Sequence, residues 1–398
     1  MNSKMKKMKM KKMNVGMVAA LMAVGTITFS ACKKEKNEAP KNTKDALVGS
    51  ITGVRTLDAS IDYALTGPVI VEDGAVLNIP AGTVIKANKG FNNYILVLQG
   101  GKININGTAE KPVIITADSD QATAGHWGGL IINGKAPLSG GTIGSTEVSS
   151  AHQYGGTNPN DNSGTIQYLI LKYTGARSSA DVEHNGLTLN GVGNGTIIEN
   201  VFIPDGSDDG IEFFGGTVNV KNIFVVNSDD DMFDFTQGYA GTVENAYGIW
   251  EVGHTSSESD PRGVEADGNL DGNFPTHTGQ SNFSIKNITI DLRLAASTDA
   301  NASNVADKMQ DVIKVRRGAK ANITNGLVKG SGTVVDIIDF KDGKGNGDAS
   351  SIVYMTNQLS TAILGLDINP ATGFPEGKIQ SGNTGCAPSV FSWTKYNF

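Results

Sequence analysis

Five short segments of this chain share one pattern, and that pattern constrains the fold more than any other feature. Each segment places an apolar residue on either side of a polar one, which is the two-residue period of a half-buried β-strand. The segments are 187–189, 211–213, 233–235, 264–266 and 313–315, which read LTL, IEF, FDF, VEA and IKV. Such segments bury their apolar side chains when they stack as equivalent strands of successive coils.

A column of asparagines accompanies these segments. It consists of Asn200, Asn222, Asn245, Asn287 and Asn325, each in or close to an apolar-x-Asn-apolar-x-apolar setting. Steps of 22 and 23 residues separate the first three, and a fixed period near 22 is typical of a solenoid with one coil per repeat. Equivalent residues of a parallel solenoid lie about 4.8 Å apart. We therefore expect the asparagines to form an amide ladder at a tight turn.

The chain contains 50 glycines and only 7% aromatic residues, which suits short strands with glycine, asparagine and aspartate at the corners. We predict an all-β protein, a single right-handed parallel β-helix over residues 47–398. Larger asparagine steps indicate loop insertions near 251–281 and 291–310, and long loops of a solenoid often cluster on a binding face. One helical segment is expected near 304–309, and the aromatic tail 391–398 is expected to cap the last coil.

The N-terminus predicts a bacterial lipoprotein signal. Residues 1–31 combine six lysines with an apolar stretch that is shorter than a membrane span requires. Small residues directly before Cys32 are typical of a lipoprotein processing box, and an ordinary signal peptide cut nearby is the alternative. Acyl chains on Cys32 would anchor the protein to a membrane. The polar residues 32–46 would then form a flexible tether.

The charge and the cysteines exclude several function classes. The formal net charge is −7, and loss of the lysine-rich signal would make it more negative. Because phosphate binding needs the opposite sign, we predict no nucleic-acid partner. Only Cys32 and Cys386 are present, so the sequence offers neither a disulfide framework nor a cysteine-based zinc site.

Three successive outward positions of the strand column are acidic: Glu212, Asp234 and Glu265. Stacked carboxylates repel each other and require a bound cation, a basic neighbour or raised pKa values. Four more aspartates lie close by in the sequence, Asp208, Asp209, Asp230 and Asp231. Together with Glu212 and Asp234 they form an oxygen-rich set of candidate metal ligands that suits Ca²⁺. The alternative is a solvated acidic flank, since aspartate is common at strand corners.

Basic residues lie beside the acidic column. Lys314 occupies its next position, and Arg262 precedes Glu265. A carboxylate line beside fixed basic groups is the arrangement that a calcium-dependent polysaccharide lyase would use; the alternative is that Lys314 only neutralises its neighbours. The ligand-binding candidates are Glu212, Asp234, Glu265, Lys314 and Arg262. His254 and His277 share one insertion and are candidates for a transition-metal site.

Four motifs resemble a family of outer-membrane β-helix lipoproteins from Bacteroidetes and spirochaetes. They are WGGLIINGKAP at 127–137, GIEFFGGTVN at 210–219, DDMFDFTQGY at 230–239 and GVEADG at 263–268. The family includes a leptospiral lipoprotein associated with a TonB-dependent receptor. The resemblance implies a β-helix, an outer-membrane location and an accessory role in nutrient or metal uptake. It supplies no catalytic residues.

Three functional hypotheses follow. The first is a lipid-anchored, non-catalytic binding or accessory protein on either side of the outer membrane, working with a TonB-dependent receptor. The second is a calcium-dependent polysaccharide lyase or another carbohydrate-active enzyme, which needs a base within reach of a cleft. The third is a structural adhesin, which needs only a repetitive surface.

Overall fold

The computed structural model describes residues 42–179, 182–295, 308–370 and 376–398. They belong to one compact unit, residues 41–398, whose first strand begins at Asn42, ahead of residue 47. The predicted signal segment 1–31 and Cys32 lie outside the described residues. Among the described residues, none of the helices has the length and apolar character that a membrane crossing requires.

Short strands joined by tight turns make up most of the described chain. In chain order they are β1 Asn42–Ile51, β2 Val54–Thr56, β3 Ile61–Val71, β4 Val76–Pro80, β5 Val84–Ala87, β6 Ile95–Val97, β7 Lys102–Asn106, β8 Val113–Ala117, β9 Leu130–Asn133, β10 Gly144–Thr146, β11 Ser149–Tyr154, β12 Gly164–Leu171, β13 Leu187–Asn190, β14 Ile197–Pro204, β15 Ile211–Phe214, β16 Asn219–Val226, β17 Phe233–Thr236, β18 Thr242–Trp250, β19 Arg262–Ala266, β20 Asn282–Arg293, β21 Lys308–Lys314, β22 Lys320–Ser331, β23 Thr333–Asp339, β24 Ile352–Leu359, β25 Ile368–Asn369 and β26 Glu376–Ile379. Short 3₁₀ segments cover Ser139–Gly141, Leu270–Gly272 and Pro388–Thr394.

All strands except the antiparallel hairpin β10–β11 pair in parallel and form one sheet that folds along three faces. Sheet A contains β2, β4, β7, β26 and the first halves of β12, β14, β16, β18, β20, β22 and β24. Sheet B contains β5, β8 and the second halves of the same long strands. Sheet C contains β6, β9, β13, β15, β17, β19, β21, β23 and β25. This architecture is a parallel β-helix, as predicted.

The five apolar–polar–apolar segments stack in sheet C in the predicted register. Leu187 pairs with Ile211, and Ile211 pairs with Phe233. Phe233 pairs with Val264, which pairs with Ile313. Because side chains alternate along a strand, this register sends the apolar residues inward and the polar residue of every segment outward.

The apolar side chains of all three sheets meet in one continuous core. Its centre contains an aromatic stack in which the rings of Phe213 and Phe235 lie 4.8 Å apart, and those of Phe235 and Phe283 lie 4.3 Å apart. Each fully buried side chain of this size contributes about 1.5–3 kcal/mol. A coil obtains this burial only from the coils above and below it, so the stack stabilises the solenoid as a whole.

The predicted asparagine ladder lies at the bend between sheets A and B. The Nδ2 group of Asn222 donates to Oδ1 of Asn200 at 2.9 Å, and Asn245 donates to Asn222 at 2.8 Å. Asn287 and Asn325 extend the ladder at 2.9 and 2.8 Å. All five residues have φ between 54° and 63°, a left-handed conformation that asparagine tolerates better than most residues. The ladder therefore requires both the amide group and this backbone conformation.

The aromatic tail does not cap the last coil but runs back over the outer surface of sheet B. Phe202, Phe224 and Tyr247 form an outward aromatic column there, in register on neighbouring strands. The rings of Phe391 and Tyr396 pack on Phe224 with centroids 5.2 and 5.0 Å apart. The column would otherwise expose a large apolar patch to water, so burying it stabilises the tail in this position.

The segment just before this tail closes the end of the asparagine ladder. The N–H of Thr384 donates to Oδ1 of Asn325 at 2.8 Å, in place of an amide from a further coil. Next to it, the N–H of Cys386 donates to Oγ1 of Thr289 at 2.9 Å. Cys386 is buried and free of any disulfide.

The first predicted insertion, 251–281, is divided by strand β19. The strand belongs to sheet C, so the inserted residues form two loops, 251–261 before β19 and 267–281 after it. Both loops lie on the side of the solenoid that carries the acidic column, because both contribute side chains beside Glu265.

The second predicted insertion, 291–310, is shorter than expected. Strand β20 continues to Arg293 and β21 begins at Lys308, and residues 296–307 lie outside the described part of the chain. The prediction of a helix near 304–309 is wrong for the two described residues, Lys308 and Met309, because both belong to strand β21. There Met309 pairs with Val334 of β23 and is fully buried, so stacking on the next coil overrides the local helical preference.

We expect Asn222→Ala to lower the free energy of unfolding by about 2–4 kcal/mol. The variant loses two ladder hydrogen bonds, worth about 1 kcal/mol each, and forces alanine into a left-handed conformation that costs about 1–2 kcal/mol. Asn222→Gly is the matched variant, because glycine adopts this conformation freely and loses only the ladder. Urea denaturation should rank the stabilities as wild type, glycine, alanine; equal stability of all three would show that the ladder contributes nothing.

Candidate functional site

The predicted acidic column lies on the outward side of sheet C. Glu212 pairs in register with Asp234, and Asp234 pairs with Glu265. The sequence places these carboxylates on an outer face, yet Glu212 and Glu265 are only 8% and 7% exposed. The line of carboxylates therefore forms the floor of a groove and is not a solvated flank.

The groove has a volume of about 360 Å³, and every side chain that lines it is polar or charged. Its floor is sheet C, and its walls come from the β10–β11 hairpin and from loops on either side of the sheet. These walls contribute Glu147, Glu183, Asp260 and Asp271. Both loops of the first predicted insertion thus lie beside the acidic column, as expected for loops of a binding face.

The aromatic residue Tyr154 helps to attach the hairpin to sheet C. The hydroxyl of Tyr154 donates to Oε1 of Gln237 at 2.7 Å. The Tyr154 ring also packs near Phe214, with 6.2 Å between centroids, in a small apolar cluster that includes Leu138. This packing holds the hairpin beside the acidic column and closes one side of the groove.

Two successive coils contribute carboxylates at the same three positions of the repeat. The first coil supplies Asp208 and Asp209 from the corner before β15 and Glu212 from the strand itself. The second coil, 22 residues later, supplies Asp230, Asp231 and Asp234. The corners are joined by the N–H of Asp231, which donates to Oδ1 of Asp209 at 2.9 Å. We name these six residues the carboxylate cluster.

The carboxylate cluster has a deficit of positive charge. In the described part of the chain no ion pair joins any of the six to a basic side chain; Glu183 and Asp229 are both bound to Arg177. Burial raises the pKa of five members well above the usual range, and repulsion between neighbouring carboxylates adds to it. Burial and the nearby Glu265 raise the pKa of the sixth, Asp230, to about 7.

Neighbouring carboxyl groups add to the effect of burial. Asp234 raises the pKa of Glu212, and Glu183 raises the pKa of Asp208, because like charges repel. A proton on one member of such a pair, or a cation between the two, would relieve this repulsion.

Several buried oxygens of the cluster have no hydrogen-bond partner. They are Oδ1 of Asp230, Oδ1 of Asp231 and Oδ1 of Asp234. Asp231 is only 3% exposed and lines the groove. A buried oxygen without a partner costs about 1–3 kcal/mol, so these three atoms mark places where a ligand would be stabilised.

The other end of the groove is neutralised by arginine. Both carboxylate oxygens of Glu265 accept hydrogen bonds from guanidinium groups, one from Arg262 and one from Arg316. Arg262 also bonds Asp311 at 3.3 Å, and Nε of Arg316 donates to Asp267 at 2.8 Å. Arg262 and Arg316 line the groove, but their charges are already paired.

Lys314 does not line the groove, although it follows Glu265 in the strand register. Its ammonium group bonds Asp339 and lies 3.7 Å from Asp311. The sequence-based expectation that Lys314 and the acidic column form one ligand-binding face is therefore wrong in this respect. The alternative that Lys314 neutralises acidic neighbours agrees with these contacts: Asp311 lies in the same strand, and Asp339 lies in the next coil.

Candidate metal ligands fall into three overlapping groups within the groove. In each group the ligand oxygens lie within 4.8 Å of one another. The groups are Asp208, Asp209 and Asp230; Asp209, Glu212 and Asp234; and Asp231, Asp234 and Glu265. The structure thus brings together all six predicted metal ligands.

The two histidines of the first insertion pack on different aromatic rings. His254 lies against Trp250, with 4.9 Å between ring centroids, and His277 stacks on Phe274 at 4.7 Å. The described residues contain no group of three candidate ligands that includes either histidine. The candidate transition-metal site therefore gains no support from the geometry.

Sequence reasoning did not identify the walls of the groove. Glu147, Glu183 and Asp271 lie in segments without periodicity, so no strand register relates them to the column. Asn185, whose Nδ2 donates to Glu212, also lies outside the repeat. Only the clustering of acidic residues around insertions could have signalled these positions.

A comparison with protein families agrees with this architecture. Residues 49–382 match the family described as pectate-lyase like beta helix domain. The chain belongs to this family. Comparisons with curated proteins and with solved structures gave no match.

Membership of the pectate-lyase-like β-helix family establishes a β-helix over most of the chain. It does not distinguish enzymes from binding proteins. The resemblance to outer-membrane lipoproteins of Bacteroidetes and spirochaetes is a finer assignment and stays a prediction.

In the presence of a chelator, we expect the melting temperature to fall as pH rises from about 4 to about 8. The pKa of Asp230 is about 7 in the folded protein and 3.8 as a free side chain. The folded state therefore holds a proton that the unfolded state releases in this range. The stabilising contribution is complete below about pH 4 and is lost as pH approaches 7.

Asp230→Asn removes this titration and should flatten the dependence, whereas Glu244→Gln on sheet A should not. Thermal melts of the three proteins at several pH values provide the measurement. An Asp230→Asn profile as steep as that of the wild type would contradict the assignment.

Proposed function

We propose that this chain is a lipid-anchored binding protein of the outer membrane, without catalytic activity, whose acidic groove holds a divalent cation. The observation that carries the proposal is the carboxylate cluster. Six carboxylates lie on one floor without an ion pair to a basic residue, and three of their buried oxygens lack a partner. A groove of this kind favours a cation over any other ligand.

The donor set fits Ca²⁺. Calcium takes six to eight oxygen ligands at about 2.3–2.6 Å, in flexible geometry. Oxygens on opposite sides of such an ion are about 5 Å apart, which agrees with groups whose ligand atoms lie within 4.8 Å. Carboxylates would supply the ligands and solvent in the open groove would supply the rest. The set contains no thiolate or imidazole, which softer metals prefer.

The paired state of the basic residues favours binding over catalysis. A lyase requires a base that can reach a substrate in the groove. Arg262 and Arg316 are each held by two or more carboxylates, and Lys314 bonds Asp339 away from the groove. A lyase activity, which the name of the family suggests, would therefore require a base other than these three residues. Nothing in the groove specifically favours the adhesin.

The membrane location rests on the N-terminal sequence and on the lipoprotein resemblance. Acylated Cys32 would anchor the chain, and the tether would place the β-helix next to the membrane.

A pull-down from detergent-solubilised native membranes tests this role. The full chain would carry a C-terminal tag, and a Cys32→Ala variant would be the matched control. We expect a TonB-dependent receptor at near-equal amount with the wild type, and loss of the variant from the membrane fraction. Recovery of the wild type alone would remove the accessory role, and membrane retention of the variant would remove the lipid anchor.

Calcium should raise the melting temperature of the wild type by several degrees relative to chelator. Ligand binding to the folded state alone stabilises by about 2.7 kcal/mol at a hundredfold excess over the dissociation constant. Asp234→Asn should reduce this gain, yet melt no lower than the wild type in chelator, because it removes a repelling charge. Glu244→Gln on sheet A should behave as wild type. A wild-type protein that shows no calcium shift would exclude the cation site.

A further inference from the structure

The groups of ligand oxygens overlap through shared residues. Asp209 belongs to the first and second groups, and Asp234 belongs to the second and third. Adjacent groups are thus joined by one shared carboxylate. A carboxylate has two oxygens and can bind a different cation with each of them.

The third group is already compensated. Both oxygens of Glu265 accept hydrogen bonds from Arg262 and Arg316, and two guanidinium charges beside this position repel a cation. The first and second groups have no such partners. In the described chain, no member of these two groups forms an ion pair with a basic residue. These two groups are therefore the ones available for cations.

The charge of the cluster exceeds what one ion neutralises. Six carboxylates carry six formal negative charges, of which a divalent ion compensates two. Unpartnered buried oxygens occur in both available groups, on Asp230 in the first and on Asp234 in the second. The buried Asp231, with its own unpartnered oxygen, lies in the same groove and is joined to Asp209 by a hydrogen bond. A single ion would leave some of these carboxylate oxygens without a partner.

We propose that the groove holds two divalent cations that share the Asp209 carboxylate as a bridging ligand. Asp208 and Asp230 complete the first set of ligands, and Glu212 and Asp234 complete the second. This inference rests on the proposed cation-binding function and specifies its stoichiometry and its central residue.

Equilibrium dialysis of the full chain against calcium, with metal analysis of the protein, tests the stoichiometry. We expect two ions per chain in the wild type, one in Asp208→Asn and one in Glu212→Gln. Asp209→Asn should weaken binding of both ions at least tenfold, because it removes the shared ligand. Its Oδ1 still accepts the N–H of Asp231, so the corner keeps its hydrogen bond. Glu244→Gln on sheet A is the matched control and should bind two.

Melts in chelator establish that each variant is folded before its calcium content is compared. One ion per chain in the wild type would overturn the two-ion inference and leave the proposed function intact. Two ions in Asp208→Asn or in Glu212→Gln, or an unchanged calcium affinity in Asp209→Asn, would overturn it as well. No bound calcium in the wild type would overturn both the inference and the proposed function.

Discussion

The parallel register between successive coils is the constraint on which the rest of the structure depends. Once the coils align, each side chain faces the equivalent side chain of the next coil about 4.8 Å away. For apolar residues this contact builds a continuous core, and for asparagines it builds a ladder of amide hydrogen bonds. For carboxylates the same contact is repulsive. The register therefore creates both the stability of the solenoid and the charge problem of its groove.

The protein meets this charge problem differently at the two ends of the groove. Around Glu265, arginines from neighbouring strands lie in the same register and neutralise the column. Around Glu212 and Asp234, the described residues form no ion pair with a basic side chain, and burial together with repulsion between carboxylates raises their pKa values. Protonation is available only over a limited pH range. The asymmetry is the physical reason for assigning a ligand to one end of the groove and a structural role to the other.

The periodic part of the molecule could be predicted from the sequence, and the aperiodic part could not. Period-2 segments, together with asparagine steps of 22 and 23 residues, identified the fold, the asparagine ladder and the stacking of Glu212, Asp234 and Glu265. The tail was placed wrongly, because its contact between Phe391 and Phe224 joins residues far apart in the sequence. The burial of the acidic column was also missed, since the hairpin and loops that cover it follow no repeat.

The sequence by itself determined which residues would meet within the stack, because a repeating chain relates each position to the next coil by a fixed step. Only the tertiary structure decided which of those residues would be buried and which would form an ion pair or a hydrogen bond. Those outcomes depend on where the hairpin, the loops and the tail fold back, and hence on non-local packing that no short pattern encodes. Lys314 illustrates the difference: its position in the column was readable, but its pairing with Asp339 required the coil that follows.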